Sequence, residues 1–278
     1  MPPATRPVFS LAYLTTLNLA PPQAIEIAAE LGYDQVGLRL LPSAPGGLAF
    51  PLMDDAAMLR ETQARLQATG VSVCDLEIIR IGAGFDLAAT RPFLDVGAQL
   101  GARAVLVAGD DPEPARLAQN YAAFCAEAAR FGLTADLEFM PWTCVPHLRS
   151  AVAVLEAAGR PANASVLVDA LHWARSDSSL AEVRALPRAW LHYAQMCDAP
   201  AEIPRTTEGL IHTARCERLL PGEGGIALRE LFGALPADLP VSVEVPNEPG
   251  VARLGAREWA RRALAAAQAV WAARTAAA

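Results

Sequence analysis

With 278 residues, 53% of them apolar, the chain can bury a large core, either as two ordinary domains or as one α/β barrel. A formal charge of -7 and the absence of any Lys/Arg cluster exclude a protein that grips nucleic acid through a basic face. The Ala-rich segments contain no apolar span long enough for a membrane, so a small polar partner is expected.

Five cysteines, Cys74, Cys125, Cys144, Cys197 and Cys216, are scattered without a C-x-x-C pair. That fits reduced thiols better than a disulfide framework, and most of them read as small core hydrophobes. The opening stretch M-P-P-A-T-R-P-V-F has no apolar leader, so the expected location is the cytoplasm. Self-association into a homo-oligomer is compatible with the composition.

Along the chain, apolar strand-like runs alternate with helix-like segments, which predicts a parallel sheet. Strands are expected at 8–14, 35–41, 71–78, 104–108, 134–139, 165–170, 191–196 and 240–245, the eight that a closed barrel needs. Gly32, Gly70, Gly101, Gly132 and Gly159 each follow an Ala/Leu/Glu-rich segment and precede a strand, where glycine relieves the left-handed end of a helix. Pro21, Pro22, Pro112 and Pro114 fall near helix starts, where a missing N–H costs little. The stretch 252–274 reads as the closing helix. The expected fold is therefore a (β/α)8 TIM barrel, with residues 1–278 as a single domain. One connection breaks the rhythm: the segment 198–225 after strand seven is far longer than the usual β-α loop of roughly 2 to 6 residues, which suggests a lid. Its Pro221 to Gly225 piece, P-G-E-G-G, lacks the strand-to-helix setting and the Lys of a phosphate loop and reads as a turn.

Functional groups of such barrels stand at the C-terminal strand ends. Four consecutive strands put Glu138, Asp169, Gln195 and Glu244 there. Three acids at close quarters would repel one another, and a divalent cation resolves the conflict. The set is all oxygen if Gln195 binds through its carbonyl, which favours Mg²⁺ or Mn²⁺, with Zn²⁺ second. His192 competes for the fourth place but lies at the start of its strand with the opposite parity, so Gln195 is preferred. Taken singly, each acid reads equally well as a helix cap or salt-bridge partner. His172, three residues beyond Asp169, reads as a structural histidine or as a rim residue that orients a substrate or moves a proton. Arg39, and Glu77 with Arg80, are substrate contacts or salt bridges; Trp142 stacks on a ring or seals the barrel. Arg215 and Arg218, from the long loop along with Arg205, could pair with a substrate carboxylate or phosphate. Asp110 and Asp111 read as caps of the next helix.

Together the segments L-E-F-M-P-W, L-V-D-A-L-H-W, Y-A-Q-M-C-D, R-L-L-P-G-E-G and S-V-E-V-P resemble the xylose isomerase-like superfamily of sugar phosphate isomerases and epimerases. The resemblance implies a β-α barrel whose metal is held by Glu, Asp, usually His, and a second Glu. These positions fall on Glu138, Asp169, Gln195 and Glu244, and the D-x-x-H histidine falls on His172. Gln195 in place of His departs from the common pattern and suggests similarity to bacterial 3-dehydroshikimate dehydratases. The resemblance implies removal of a proton beside a carbonyl of a sugar-like or hydroxy-keto acid substrate. In an epimerase Glu138 and Glu244 would exchange the proton on opposite faces; in a dehydratase His172 would help a hydroxyl leave. A non-catalytic carbohydrate-binding barrel is the third expectation. The endonuclease IV branch of the superfamily would need many histidines and a cationic face, against four histidines and an acidic balance here.

Overall fold

In the computed structural model, which describes residues 7–17, 19–44 and 46–274, eight parallel strands follow one another around a closed barrel. They are β1 (Phe9–Leu11), β2 (Gln35–Arg39), β3 (Ser72–Gly82), β4 (Ala104–Asp110), β5 (Thr134–Glu138), β6 (Ala164–Asp169), β7 (Ala194–Met196) and β8 (Val241–Val243). β8 closes on β1 through Phe9, Ser10 and Leu11 opposite Val241, Ser242 and Val243. The first residues of the chain, 1–6, scanned above for a leader, lie outside the described set.

The two faces of each strand carry different chemistry. Outward residues such as Val36, Leu38, Val105, Val107, Leu137, Val166 and Val243 join the large core shared with the helices. A smaller interior cluster, including Leu106, Ala108, Met140, Leu167 and Tyr193, fills one side of the barrel. The rest of the interior is polar: Ser10, Gln35, Asp75, Asp136, Ser165, Gln195 and Ser242 are all buried. A barrel interior usually packs branched apolar side chains; here part of the buried oxygen, Asp136 with Thr134 and Ser165 and Gln35 with Ser72, is paired at the N-terminal ends of the strands.

Helix punctuation follows the sequence reading. Pro21 opens the helix Pro21–Leu31, Pro114 opens Pro114–Arg130, and Gly32 and Gly70 cap their helices with φ of 85° and 75°. Several boundaries differ. β1 is shorter than 8–14 because Tyr13–Thr16 turn into a helical segment. β3 runs on to Gly82, so Arg80 is a strand residue rather than a loop one. β7 begins only at Ala194: a short helical turn, Arg188–Trp190, occupies the approach, and pairing with β6 starts at Val168 opposite Ala194. The stretch 252–274 is not one helix; Gly255, with φ of 79°, separates Glu248–Leu254 from Ala256–Ala272.

Asp110 and Asp111 do not cap the next helix. Glu113 does, accepting from the Ala115 N–H, while Asp111 accepts from the Glu113 N–H and grips Arg116, and Asp110 pairs with Arg80. The reason is Pro112 and Pro114, which push the helix start two residues further on. The long connection is ordered around Asp198. That buried carboxylate accepts from the backbone N–H groups of Ala199, Gly222, Gly224 and Ile226, at 2.8 to 3.1 Å. The P-G-E-G-G piece is thus the expected turn, folded onto an acid. At Gly224 a Cβ would stand 2.2 Å from the Ala199 carbonyl oxygen, so only glycine fits. Between these anchors lies the helix Thr207–Cys216, part of which reaches the barrel mouth.

Candidate metal centre and active site

The C-terminal strand ends open into a narrow cleft. Glu77 (β3), Glu138 (β5), Arg39 (β2) and Glu244, just past β8, line it with Trp142 and His172, and the long connection adds Ala214, Arg215 and Arg218. Alternation explains the convergence: on β5 Asp136 and Glu138 share the inner face, on β8 Ser242 and Glu244 do, and Asp169 ends β6. Glu138 and Glu244 therefore face one cleft, each under 5% exposed, rather than diverging.

Glu138, Asp169 and His172 bring one ligand atom each within 4.8 Å of one another. His172 Nε2 lies 3.6 Å from Glu138 Oε1 and 4.0 Å from Asp169 Oδ1. Asp169 also caps the helix Ala170–Arg175, accepting from the His172 N–H at 2.8 Å, and this turn swings the imidazole back over the carboxylates. The cap reading of Asp169 is met by Oδ1, and its neighbours Glu138 and His172 place it in a group that could hold an ion. Trp142 stands edge-on to the His172 ring, with centroids 5.0 Å apart, and so both lines the cleft and packs the histidine.

Gln195 is joined to the same group. Its Nε2 donates to Glu244 Oε1 at 3.1 Å, and its carbonyl oxygen is buried without a partner. His192 is elsewhere: its Nδ1 sits 3.0 Å from Asp136 Oδ1, in an interior network with Thr134 and Ser165 at the other end of β5. His147 caps the helix Leu148–Ala157 and His212 pairs on the surface with Glu217. Among the four histidines only His172 lines the cleft, which leaves no multi-histidine zinc centre.

Arg218 is the main departure from expectation. It is 2% exposed, and its Nη1 donates to Asp169 Oδ2 at 2.6 Å while Nη2 lies 2.9 Å from Glu244 Oε2. Nε donates to the Ala214 carbonyl oxygen and Nη1 also meets Cys197 Sγ. Read from the sequence as a residue that could pair with a substrate carboxylate or phosphate, it lines the cleft and is at the same time bound to the chain's own carboxylates. Arg39 pairs with Glu77 through Nε and Nη2 and lies over the Tyr13 ring, 4.9 Å from its centroid. Arg80 holds Asp110 at 2.9 Å. Arg205 of the loop carries no such contact to the cleft lining.

The electrostatics follow from burial. Burial, with Asp169 and Glu244 nearby, pushes the Glu138 carboxyl well above its ordinary value. Burial and the Glu77 and Asp169 charges raise Glu244 to about 8, against the pull of Arg218 and Arg39. Asp169 behaves oppositely: although burial alone would raise it, Arg218 and His172 hold it below the usual range. Burial, helped by the Arg218 charge, depresses His172 to about 4, so its imidazole is neutral near pH 7. Asp75, just below Glu77 on the same face of β3, has both oxygens unpartnered and is raised by burial and by Glu77, Glu244 and Asp136. It belongs to the site's support and was missed in the sequence, although the alternation D-L-E in C-D-L-E placed it on the Glu77 face.

Four rim carboxylates, Glu77, Glu138, Asp169 and Glu244, meet only two guanidiniums, Arg39 and Arg218. Burial and mutual repulsion disfavour ionisation of Glu138 and Glu244, a conflict that a divalent ion would relieve, and the orphaned Gln195 carbonyl supplies a further buried oxygen. The donor set fits a dication: Glu138, Asp169 and His172 have ligand atoms within 4.8 Å of one another, and Glu244 and Gln195 are tied to this group through Arg218 and their own hydrogen bond.

A closed barrel with a convergent acid cage at its C-terminal rim defines a metal-competent barrel protein. The chain belongs to the xylose isomerase-like TIM barrel family, whose model matches residues 25–270. No curated protein matches it by sequence. Among solved structures, the IOLI protein with a bound zinc atom superposes with a TM-score of 0.76 at 17% identity, covering 97% of this chain and 99% of that one. The probable 3-DHS dehydratase AsbF of Bacillus anthracis gives 0.75 at 16% identity over 92% and 97%. D-allulose 3-epimerase from Methylomonas sp. gives 0.69 at 18% over 95% and 98%. The chain spans 42% of the length of a fusion between a xylose isomerase-like barrel and a 4-hydroxyphenylpyruvate dioxygenase, at TM-score 0.77. These identities speak for the fold alone.

Proposed function

We propose that the protein is a divalent-metal-dependent enzyme of the isomerase or epimerase type that removes a proton next to the carbonyl of a small sugar-like or hydroxy-keto acid substrate. The observation that carries this reading is the pair Glu138 and Glu244, two buried carboxylates from the end of β5 and just past β8 that line one cleft with Arg218. Glu138, Asp169, Glu244 and the Gln195 carbonyl would hold the ion, an all-oxygen set that favours Mn²⁺ or Mg²⁺; participation of His172 would move the preference toward Zn²⁺. A bound ion supplies positive charge that stabilises the negative charge developing on the substrate carbonyl oxygen.

The chain's own groups do the rest. Glu138 or Glu244 takes the proton, and the other, on the opposite wall, returns one. Arg218 fixes Asp169 and Glu244 so that neither swings away as charge moves. Trp142 and the helix 207–216 restrict water at the mouth, and the long connection acts as a lid. In a second reading, dehydration of a hydroxy-keto acid, His172 relays a proton to the departing hydroxyl, giving one up as it takes one from the Glu138 carboxyl 3.6 Å from its Nε2, and so stays neutral; its buried, unpartnered Nδ1 favours it for that role.

The test is incubation of the Mn²⁺-loaded protein in deuterated water with a panel of ketoses and with dehydroshikimate. Solvent deuterium entering a ketose supports isomerisation or epimerisation. Aromatic absorbance from dehydroshikimate supports the dehydratase. A metal-bound protein that does neither is a carbohydrate-binding barrel, and the enzymatic reading is then wrong.

A further inference from the structure

Four arginines line the cleft: Arg39, Arg80, Arg215 and Arg218. Three have carboxylate partners, Glu77 for Arg39, Asp110 for Arg80, and both Asp169 and Glu244 for Arg218. Arg215 has none among the described residues. It is half-buried on the last turn of the helix Thr207–Cys216, and the larger charges acting on it are those of Arg39 and Arg80, which have its own sign and outweigh the opposite pull of Cys216. The carbonyl end of the helix favours a cation there, but it does not supply a counter-ion. A partly desolvated, unpaired guanidinium that shares a cleft with two others is unfavourable unless something negative binds beside it.

Arg39, Arg80 and Arg215, from β2, β3 and the long connection, share the cleft lining with Glu138 and Glu244, while Arg218 is held among the acids. Arg39 commits Nε and Nη2 to Glu77, which leaves Nη1 uncommitted toward a ligand. Arg80 remains a third exposed and is tethered by Asp110 and the Ser43 carbonyl.

We infer that Arg215, with Arg39 and Arg80 beside it, forms an anion subsite, and that the substrate carries an oxyanion, a carboxylate or a phosphate monoester, at the end away from the acid cage. The inference deepens the proton-abstraction reading and rests on it for the substrate's orientation: the carbonyl end goes to Glu138 and Glu244, the anionic end to Arg215. A free neutral ketose leaves Arg215 uncompensated and is the poorer substrate. Guanidinium forks recognise both oxyanions bidentately, so the two sources must be separated by experiment.

The experiment is calorimetric titration of the Mn²⁺-loaded full chain with inorganic phosphate and, separately, with acetate at constant ionic strength. It is repeated on Arg215→Gln and Arg215→Lys, with bound metal measured in every sample. One anion per chain is expected, with affinity lowered about tenfold or more in Arg215→Gln and partly restored in Arg215→Lys. Tighter phosphate binding assigns a phosphate monoester, and tighter acetate binding a carboxylate. Failure of both anions to bind at tens of millimolar, or binding indifferent to Arg215→Gln, overturns the subsite. Circular dichroism of both variants separates a folding defect from a lost contact, and Arg80→Gln, which must also weaken the anion, gives a second route if Arg215→Gln does not fold. If the chain takes up the metal but neither anion, only the subsite falls. If the anion binds at Arg215 but no metal is retained, the enzymatic reading falls and the subsite stands.

Discussion

Arg218 Nη1 lies 2.6 Å from Asp169 Oδ2, a buried contact between residues 49 positions apart that ties the long connection to the end of β6. The same guanidinium reaches Glu244 at 2.9 Å, so one side chain balances two carboxylates. Substituting Arg218→Met keeps much of the volume but leaves both acids uncompensated. The metal-free variant should lose roughly 3–5 kcal/mol of stability, the range for breaking a buried pair from one side. Saturating Mn²⁺ should return part of that loss, because the ion neutralises the same oxygens. Chemical denaturation with and without Mn²⁺ checks this; equal destabilisation in both conditions would mean that the ion does not share these carboxylates.

The Asp198 carboxylate makes a separate prediction about the long connection. Asp198→Ala removes one acceptor group from four backbone N–H donors. With roughly 1–3 kcal/mol lost per buried donor that finds no water, destabilisation should exceed about 3 kcal/mol. Hydrogen exchange should accelerate first at Gly222, Gly224 and Ile226. Wild-type protection at those amides in the variant would show that something other than Asp198 orders the segment.

The pH dependence of the metal-free protein follows from two opposed shifts. Glu244 is raised from an ordinary 4.5 to about 8, so its contribution is complete below pH 4.5 and is lost as pH rises toward 8. His172 is lowered from 6.5 to about 4, so its contribution is complete above pH 6.5 and is lost as pH falls toward 4. Above pH 6.5 the effect of His172 is constant; Glu138, also raised, adds to that of Glu244, and His192, which burial alone would lower but Asp136 holds above its ordinary value, acts in the same direction. In EDTA the Tm should therefore fall from pH 6.5 to 8. In Mn²⁺ the trend should reverse, because ionised carboxylates bind the ion. A Tm that is flat or rising in EDTA over that interval would contradict the assigned shifts.

The barrel was legible because its punctuation is local. Gly32 and Gly70 end helices where the chain must turn left-handed, and each strand is a short apolar run between such signals. The acids of the cage were legible for a related reason: once eight parallel strands close, strand ends share a rim, and Glu138, Asp169, Gln195 and Glu244 fall there by alternation. What the sequence could not supply was the path of the long connection. Arg218 and Asp198 act through contacts with groups 24 to 49 residues away, set by loop packing rather than by any period. The start of β7 was misplaced because Leu191 and Tyr193 look like strand residues yet only bury against their neighbours, while His192 is held by Asp136. Asp110 and Asp111 misled because capping is decided by where the prolines allow the helix to begin.

The most direct test of the metal-centred account is the metal content of the purified chain after equilibration with Mn²⁺, for wild type and for Glu138→Gln. The carboxamide keeps the shape and removes the charge. One tightly held divalent ion per wild-type chain, and an affinity lower by about tenfold or more in Glu138→Gln, is the predicted result. Equal occupancy in both proteins, or none in either, would contradict it.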